Sequence, residues 1–181
     1  MDEARQLREF WFGSVPLSAE EFAGRMQWWF GQEQTDVRRQ RDAQIRIRFG
    51  GLSAQESSNI YRGTARAFAF DAQALELALS GVQSGADAAL DPVERMFFYM
   101  PLQHAEALDV QDEAVAAYRR LVGEAPDPLR ATLEIALAYA ELHRQLIERF
   151  GRFPHRNRIL GRVSTPEEIA WLKSGAESFG Q

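Results

Sequence analysis

Residues 127–150 read "DPLRATLEIALAYAELHRQLIERF", and their reading decides the fold. The stretch is apolar at helical spacing along its whole length, carries proline close to its start and holds no alternating strand pattern. Working outward, "LQHAEALDVQDEAVAAYRRLV" (102–122) has the same character, and the turn "GEAPDP" (123–128) joins the two as long helices. Their apolar faces set Ala beside Leu, Tyr and Phe, as in "AVAAYRRLV" and "IALAYAELH", so the helices can approach closely and stack in pairs.

The rest of the chain follows the same pattern. Leu7, Phe10 and Trp11 share a stripe that Gly13 ends. Ser18 with Glu21 is a capping box opening a helix with Phe22, Met26, Trp29 and Phe30 on one face. Thr35 caps a charged helix with Val37, Ile45 and Phe49 as its apolar contacts, and residues 50–59 read as a loop. Residues 65–80 form a helix with Phe68, Ala72, Leu75 and Leu79 aligned, and "SGVQSGAD" (80–87) breaks it. Asp91 followed by Pro92 starts another helix, which Pro101 kinks or ends. Ser164 or Thr165 caps a last one. The expectation is a single all-α domain over 1–181 with about seven or eight antiparallel helices. It is an irregular, tetratricopeptide-like stack, since no clean repeat of about 34 residues is present.

Bulk properties exclude several functions. The chain has 181 residues, 45% hydrophobic and 26% charged, with a net charge of −5. That balance argues against nucleic acid or a membrane surface as partner, because both polyanions repel an acidic chain. The absence of cysteine removes disulfides, thiolate metal sites and a cysteine nucleophile. "MDEARQLREF" lacks the apolar core of a signal peptide, and no apolar run reaches the roughly 18 residues needed to span a bilayer. The cytoplasm is the expected compartment.

One segment stands out from this helical background. "RFGRFPHRNRILGR" (149–162) holds five arginines and a histidine and no acid. Gly151 and Pro154 stop the preceding helix from continuing, and Phe150, Phe153, Ile159 and Leu160 can pin the excursion to the core. Pinned guanidiniums either pair with internal carboxylates and carbonyls or recognise a carboxylate or phosphate through bidentate bonds. Arg62, Gly63 and Thr64 form a similar basic turn before a helix, where the dipole favours an anion.

Three further polar residues sit where the helical pattern faces inward. Asp71, three after Phe68 and four before Leu75, needs a partner if buried: a structural arginine, or one that it orients for function. His104 aligns with Leu108, Gln111 and Val115. With Glu106 nearby it reads either as a general acid or base or as a satisfied core histidine. His143 reads as structural. No metal-ligand spacing, phosphate loop or dinucleotide fingerprint occurs, so no metal and no cofactor are expected. The 149–162 excursion is expected to fold back over the helices and bring Arg152 or Arg156 near Asp71 or Glu106.

Together, "FWFG", "WWF", "IYRGTARAFAFD", "RMFFYMPLQHAE", "RFGRFPHRN" and "LGRVSTPEE" make the chain resemble the bacterial DUF924 family nearly end to end. The resemblance implies an all-α, tetratricopeptide-like fold and a family with no established activity, so it supplies no catalytic residues. It does make the motif positions better site candidates. On their own chemistry His104 and Glu106 are read for proton transfer, and Arg62, Asp71, Arg152, His155, Arg156, Asn157 and Arg162 for ligand binding. Two departures are visible. An apolar helix ending in an Asp-Gln-Phe-Pro-Arg-like stretch, usual before Asn-Ile-Tyr-Arg-Gly, is shortened or missing ahead of Ile60. Ala105 also replaces the serine of a His-Ser-Glu motif. Such a deletion exposes neighbouring apolar surface, which can open a pocket or promote a homo-oligomer. The leading expectation is a small-molecule-binding protein or enzyme that recognises a small anionic ligand. The competing one is an interaction module whose arginines only join loops to helices.

Overall fold

The computed structural model describes residues 3–30, 40 and 64–174. Among these, all regular structure is helical. The helices are α1 (Glu3–Phe12), α2 (Ala19–Phe30), α3 (Asp71–Ser84), α4 (Pro92–Phe98), α5 (Met100–Gln103), α6 (Leu108–Glu124), α7 (Asp127–Phe150) and α8 (Pro166–Lys173). Arg62, the helix expected from Thr35 and the loop expected at 50–59 lie outside the described residues. No described helix is long and apolar enough to cross a membrane.

The cap signals work as local chemistry dictates. The Ser18 N–H donates to Glu21 Oε2 at 2.9 Å while Ser18 Oγ accepts from the Glu21 N–H at 3.3 Å. Asp91 and Glu94 form the same reciprocal box at the start of α4, and Arg8 of α1 donates to Glu94, tying the first helix to the fourth. Behind these caps lies an aromatic core. Trp29 and Phe97 meet edge to face at 4.8 Å, Trp11 and Phe12 flank Phe97 at 5.8 and 5.4 Å, and the Trp29 indole donates to the Trp11 carbonyl at 3.1 Å.

Helices α6 and α7 form the most extensive packing, an antiparallel pair across the Ala125–Pro126 turn. Ala114, Ala117, Leu121, Leu133 and Ala140 are buried between and around them. The alanines permit the close approach that the sequence pattern implies. With 24 residues against 17, α7 outruns α6. Its overhang carries Leu146 and Ile147, which pack with Phe153, Phe150 and Trp171 in a second apolar cluster. That overhang is the floor on which the arginine-rich excursion rests.

Three boundaries differ from expectation. The helix expected from residue 65 begins at Asp71. Ala65–Phe68 form a separate 3-10 turn that buries Ala67 and lays the Phe68 ring against a guanidinium, so tertiary contact overrides the local pattern. Gly81 does not break α3, which runs on to Ser84: a Cβ at Gly81 would stand 2.5 Å from Phe98 Cζ, so this glycine serves close packing. The helix expected over 102–122 is broken at residues 104–107. There the buried Gln111 amide donates to the Gln103 and Ala105 carbonyls, both at 2.7 Å, groups that a continuous helix would have bonded. His104 therefore follows α5 instead of sharing a helix face with Gln111.

Candidate functional site

Helix α7 ends at Gly151, whose φ of +68° is the left-handed conformation that glycine adopts without strain, and the Gly151 N–H closes the last turn on Ile147. The chain then reverses over the overhang. Phe153, Pro154, Arg156 and Asn157 are buried, while Arg158 stays in solvent.

Two carboxylates hold the excursion. Glu168, buried at the start of α8, accepts from Arg152 Nε at 2.6 Å and Nη2 at 2.9 Å, from Asn157 Nδ2 at 3.2 Å and from the Thr165 N–H at 2.7 Å. The Arg152 hydrogen bond above all, against the opposing effect of desolvation, holds its carboxyl down to about 2. Glu106 makes a second bidentate pair, accepting from Arg162 Nη1 at 2.5 Å and Nη2 at 2.9 Å, and it also accepts the Phe153 N–H at 2.8 Å. Burial raises the Glu106 carboxyl, but Arg162 and the Phe153 amide outweigh it and leave it lowered. Arg149, further out, pairs with Glu167 at 2.9 Å.

Arg156 is held differently. Its guanidinium carbon lies over two rings, 4.8 Å from the centre of Phe68 and 4.7 Å from that of Phe153. Nη1 donates to the His104 carbonyl at 3.2 Å and stands 3.6 Å from Asp71 Oδ2, an ion pair beyond hydrogen-bond reach. Nε is buried and has no acceptor among the described residues. Asp71 sits in the first turn of α3 with its side chain 37% exposed, so it is a rim residue and not the core carboxylate its sequence position suggests. Burial, with Glu106 nearby, raises its pKa in spite of Arg156.

The three histidines converge on the same place. The His104 and His143 rings are 5.8 Å apart, His143 meets Phe153 at 5.3 Å, and Phe153 lies 5.5 Å from His155. Burial lowers all three pKa values: His143 and His155 to about 4 and His104 well below its ordinary value, with Arg156 opposing protonation of each. At neutral pH the cluster is therefore uncharged. No group of three His, Cys, Asp or Glu among the described residues is placed to hold a metal ion.

The model of a family described as bacterial protein of unknown function, DUF924, matches residues 52–176. The chain belongs to this family. The solved structure of a protein of unknown function, ATU0120, from Agrobacterium tumefaciens is similar to the DUF924 chain at 31% identity, with a TM-score of 0.59. The similarity covers 95% of this chain and 93% of the other. Nothing among curated proteins matches.

In this DUF924 chain the sequence-derived candidates fall into two sets. Asp71, His104, His155 and Arg156 meet around one guanidinium. Glu106 and Arg162 engage each other, Arg152 and Asn157 engage Glu168, and no hydrogen bond joins His104 to Glu106 among the described residues. Sequence reasoning missed Glu168, although Thr165 with Glu168 three positions on is a readable capping box. It also missed Phe68 and Phe153 as platforms for Arg156, and His143 as a neighbour of His104; only the fold brings these together. Away from the cluster, a cleft of about 360 Å³ lies beside Gly13, Leu17, Arg25 and Trp28 and includes none of the candidates.

Proposed function

We propose that this DUF924 chain is a small-molecule-binding protein that recognises an anion through Arg156, with Asp71, His104 and His155 around it. One observation carries the reading: a buried guanidinium, packed against two aromatic rings, keeps its Nε donor without an acceptor among the described residues. An unsatisfied, desolvated donor of this kind costs on the order of 1–3 kcal/mol, and an incoming acceptor would remove that penalty. The neutral imidazoles beside it offer uncharged donors and acceptors. Because Glu106 is engaged by Arg162, His104 is the group this reading leaves for handling a proton.

A second reading has its own observation in support. Arg149, Arg152 and Arg162 are each paired with a carboxylate of the same chain, as they would be in a tetratricopeptide-like interaction module whose arginines only stitch the fold. A thermal-shift screen of anionic metabolites separates the two. A ligand at 100 times its dissociation constant stabilises by about 2.7 kcal/mol. The binding reading expects such a stabilisation in the unmodified chain and its loss in Arg156→Lys. A screen in which no anion raises the melting temperature favours the interaction module.

A further inference from the structure

Building on the anion-binding reading of Arg156, we propose that the ligand is a carboxylate carrying a single charge, and that Asp71 is the residue that turns phosphate away. The guanidinium carbon lies over the Phe68 and Phe153 rings at 4.8 and 4.7 Å, so apolar surface borders the group. Nη1 already faces the His104 carbonyl and Asp71. The edge formed by Nε and Nη2 is the one to which the described residues bring no acceptor. Two parallel N–H groups on one flat edge match the two oxygens of a planar carboxylate. A tetrahedral phosphate carries further oxygens out of that plane, and the neighbouring Phe68 and Phe153 rings have no donor to offer them.

Charge selects in the same direction. Arg156 and Arg162 are balanced by Asp71 and Glu106, and the neutral histidines contribute nothing. The site holds no surplus cation. The penalty for bringing in a desolvated charge rises with the square of that charge, so a dianion is disfavoured far more than a monoanion. Asp71, 3.6 Å from Nη1, is the carboxylate paired with this guanidinium, and its charge opposes any second anion brought to it.

The test follows the Arg156 Nε–H signal in proton–nitrogen correlation spectra of the full chain during titration with acetate and with inorganic phosphate at matched ionic strength. Acetate is expected to shift the signal and phosphate to leave it in place. In Asp71→Asn, a substitution at a half-exposed position that the fold tolerates, acetate is expected to bind about tenfold more tightly and phosphate to begin to shift the signal. Phosphate acting as strongly as acetate on the unmodified chain would overturn the carboxylate assignment while leaving anion binding intact. An unchanged response in Asp71→Asn would overturn the role of Asp71. Silence toward both ions in both chains would defeat the underlying reading of Arg156 as well.

Discussion

The α6–α7 pair and the 151–165 excursion that rests on its overhang are both well buried, yet different physics holds them. Between the helices Ala114, Ala117, Leu121, Leu133 and Ala140 contribute shape and apolar area and no directional bond. In the excursion the buried groups include Arg156 and Asn157, held with Glu168 of α8 against them, and their positions depend on named donors and acceptors. The first arrangement needs hydrophobic residues of the right volume. The second needs particular atoms, because an abandoned carboxylate cannot be re-solvated where it sits. A region built the second way can hold a guanidinium at a fixed place, which apolar packing alone does not do.

The largest effect is expected in the helix pair. Leu133→Ala removes a fully buried side chain and should cost about 3–4 kcal/mol in chemical denaturation, whereas Leu133→Met, close in volume, should cost less than about 1.5 kcal/mol. If the excursion obeyed the same rule, near-isosteric changes there would be equally mild.

Acid sharpens the contrast, because the titrating groups lie in and around the excursion. His143 and His155 hold pKa values of about 4 against 6.5 when unfolded. Between those values the unfolded chain binds more protons than the folded one, so stability falls as pH drops from about 6.5 toward 4 and is fully present above that window. Glu168, at about 2 against 4.5, adds a further loss as pH falls through the range between those values. Denaturation midpoints measured across pH should therefore decline below about 6.5, and His143→Gln should flatten the upper part of the decline. A midpoint constant from pH 7 to 4 would contradict the burial of the histidines.

The smallest effect is expected at Arg158, the excursion's solvent-exposed arginine, where Arg158→Ala should stay within about 0.5 kcal/mol of the parent in the same assay. A larger loss would mean that the excursion depends on its overall positive charge and not on particular pairs.

How much of this was legible in the sequence follows from the range of each interaction. Ser18 with Glu21 and Asp91 with Pro92 are signals contained within one helical turn, and both read correctly. Of the two caps open for the last helix, Ser164 or Thr165, it is Thr165 that serves. The break at residues 104–107 was not legible, since it depends on Gln111 reaching back to carbonyls that a continuous helix would use itself. Phe68 suited a helix locally but takes its place in the fold from Arg156, far along the chain. For the site, the composition of residues 149–162 announced that its cations needed partners, and Arg156 does reach Asp71 at 3.6 Å. Which arginine met which acid was a matter of three-dimensional packing. Arg162 took Glu106, and Arg152 took the glutamate of the following capping box.

The claim that directional pairs hold the excursion is tested most directly by a double-mutant cycle on Arg162 and Glu106, read as unfolding free energies of Arg162→Ala, Glu106→Ala and the double variant. Each single change leaves a half-buried charge without its partner and should cost about 3 kcal/mol. The account predicts that the double variant is little worse than either single one, with a coupling energy of about 2–3 kcal/mol. Losses that simply add, with coupling near zero, would contradict it and place the excursion under the same apolar rule as the helices beneath it.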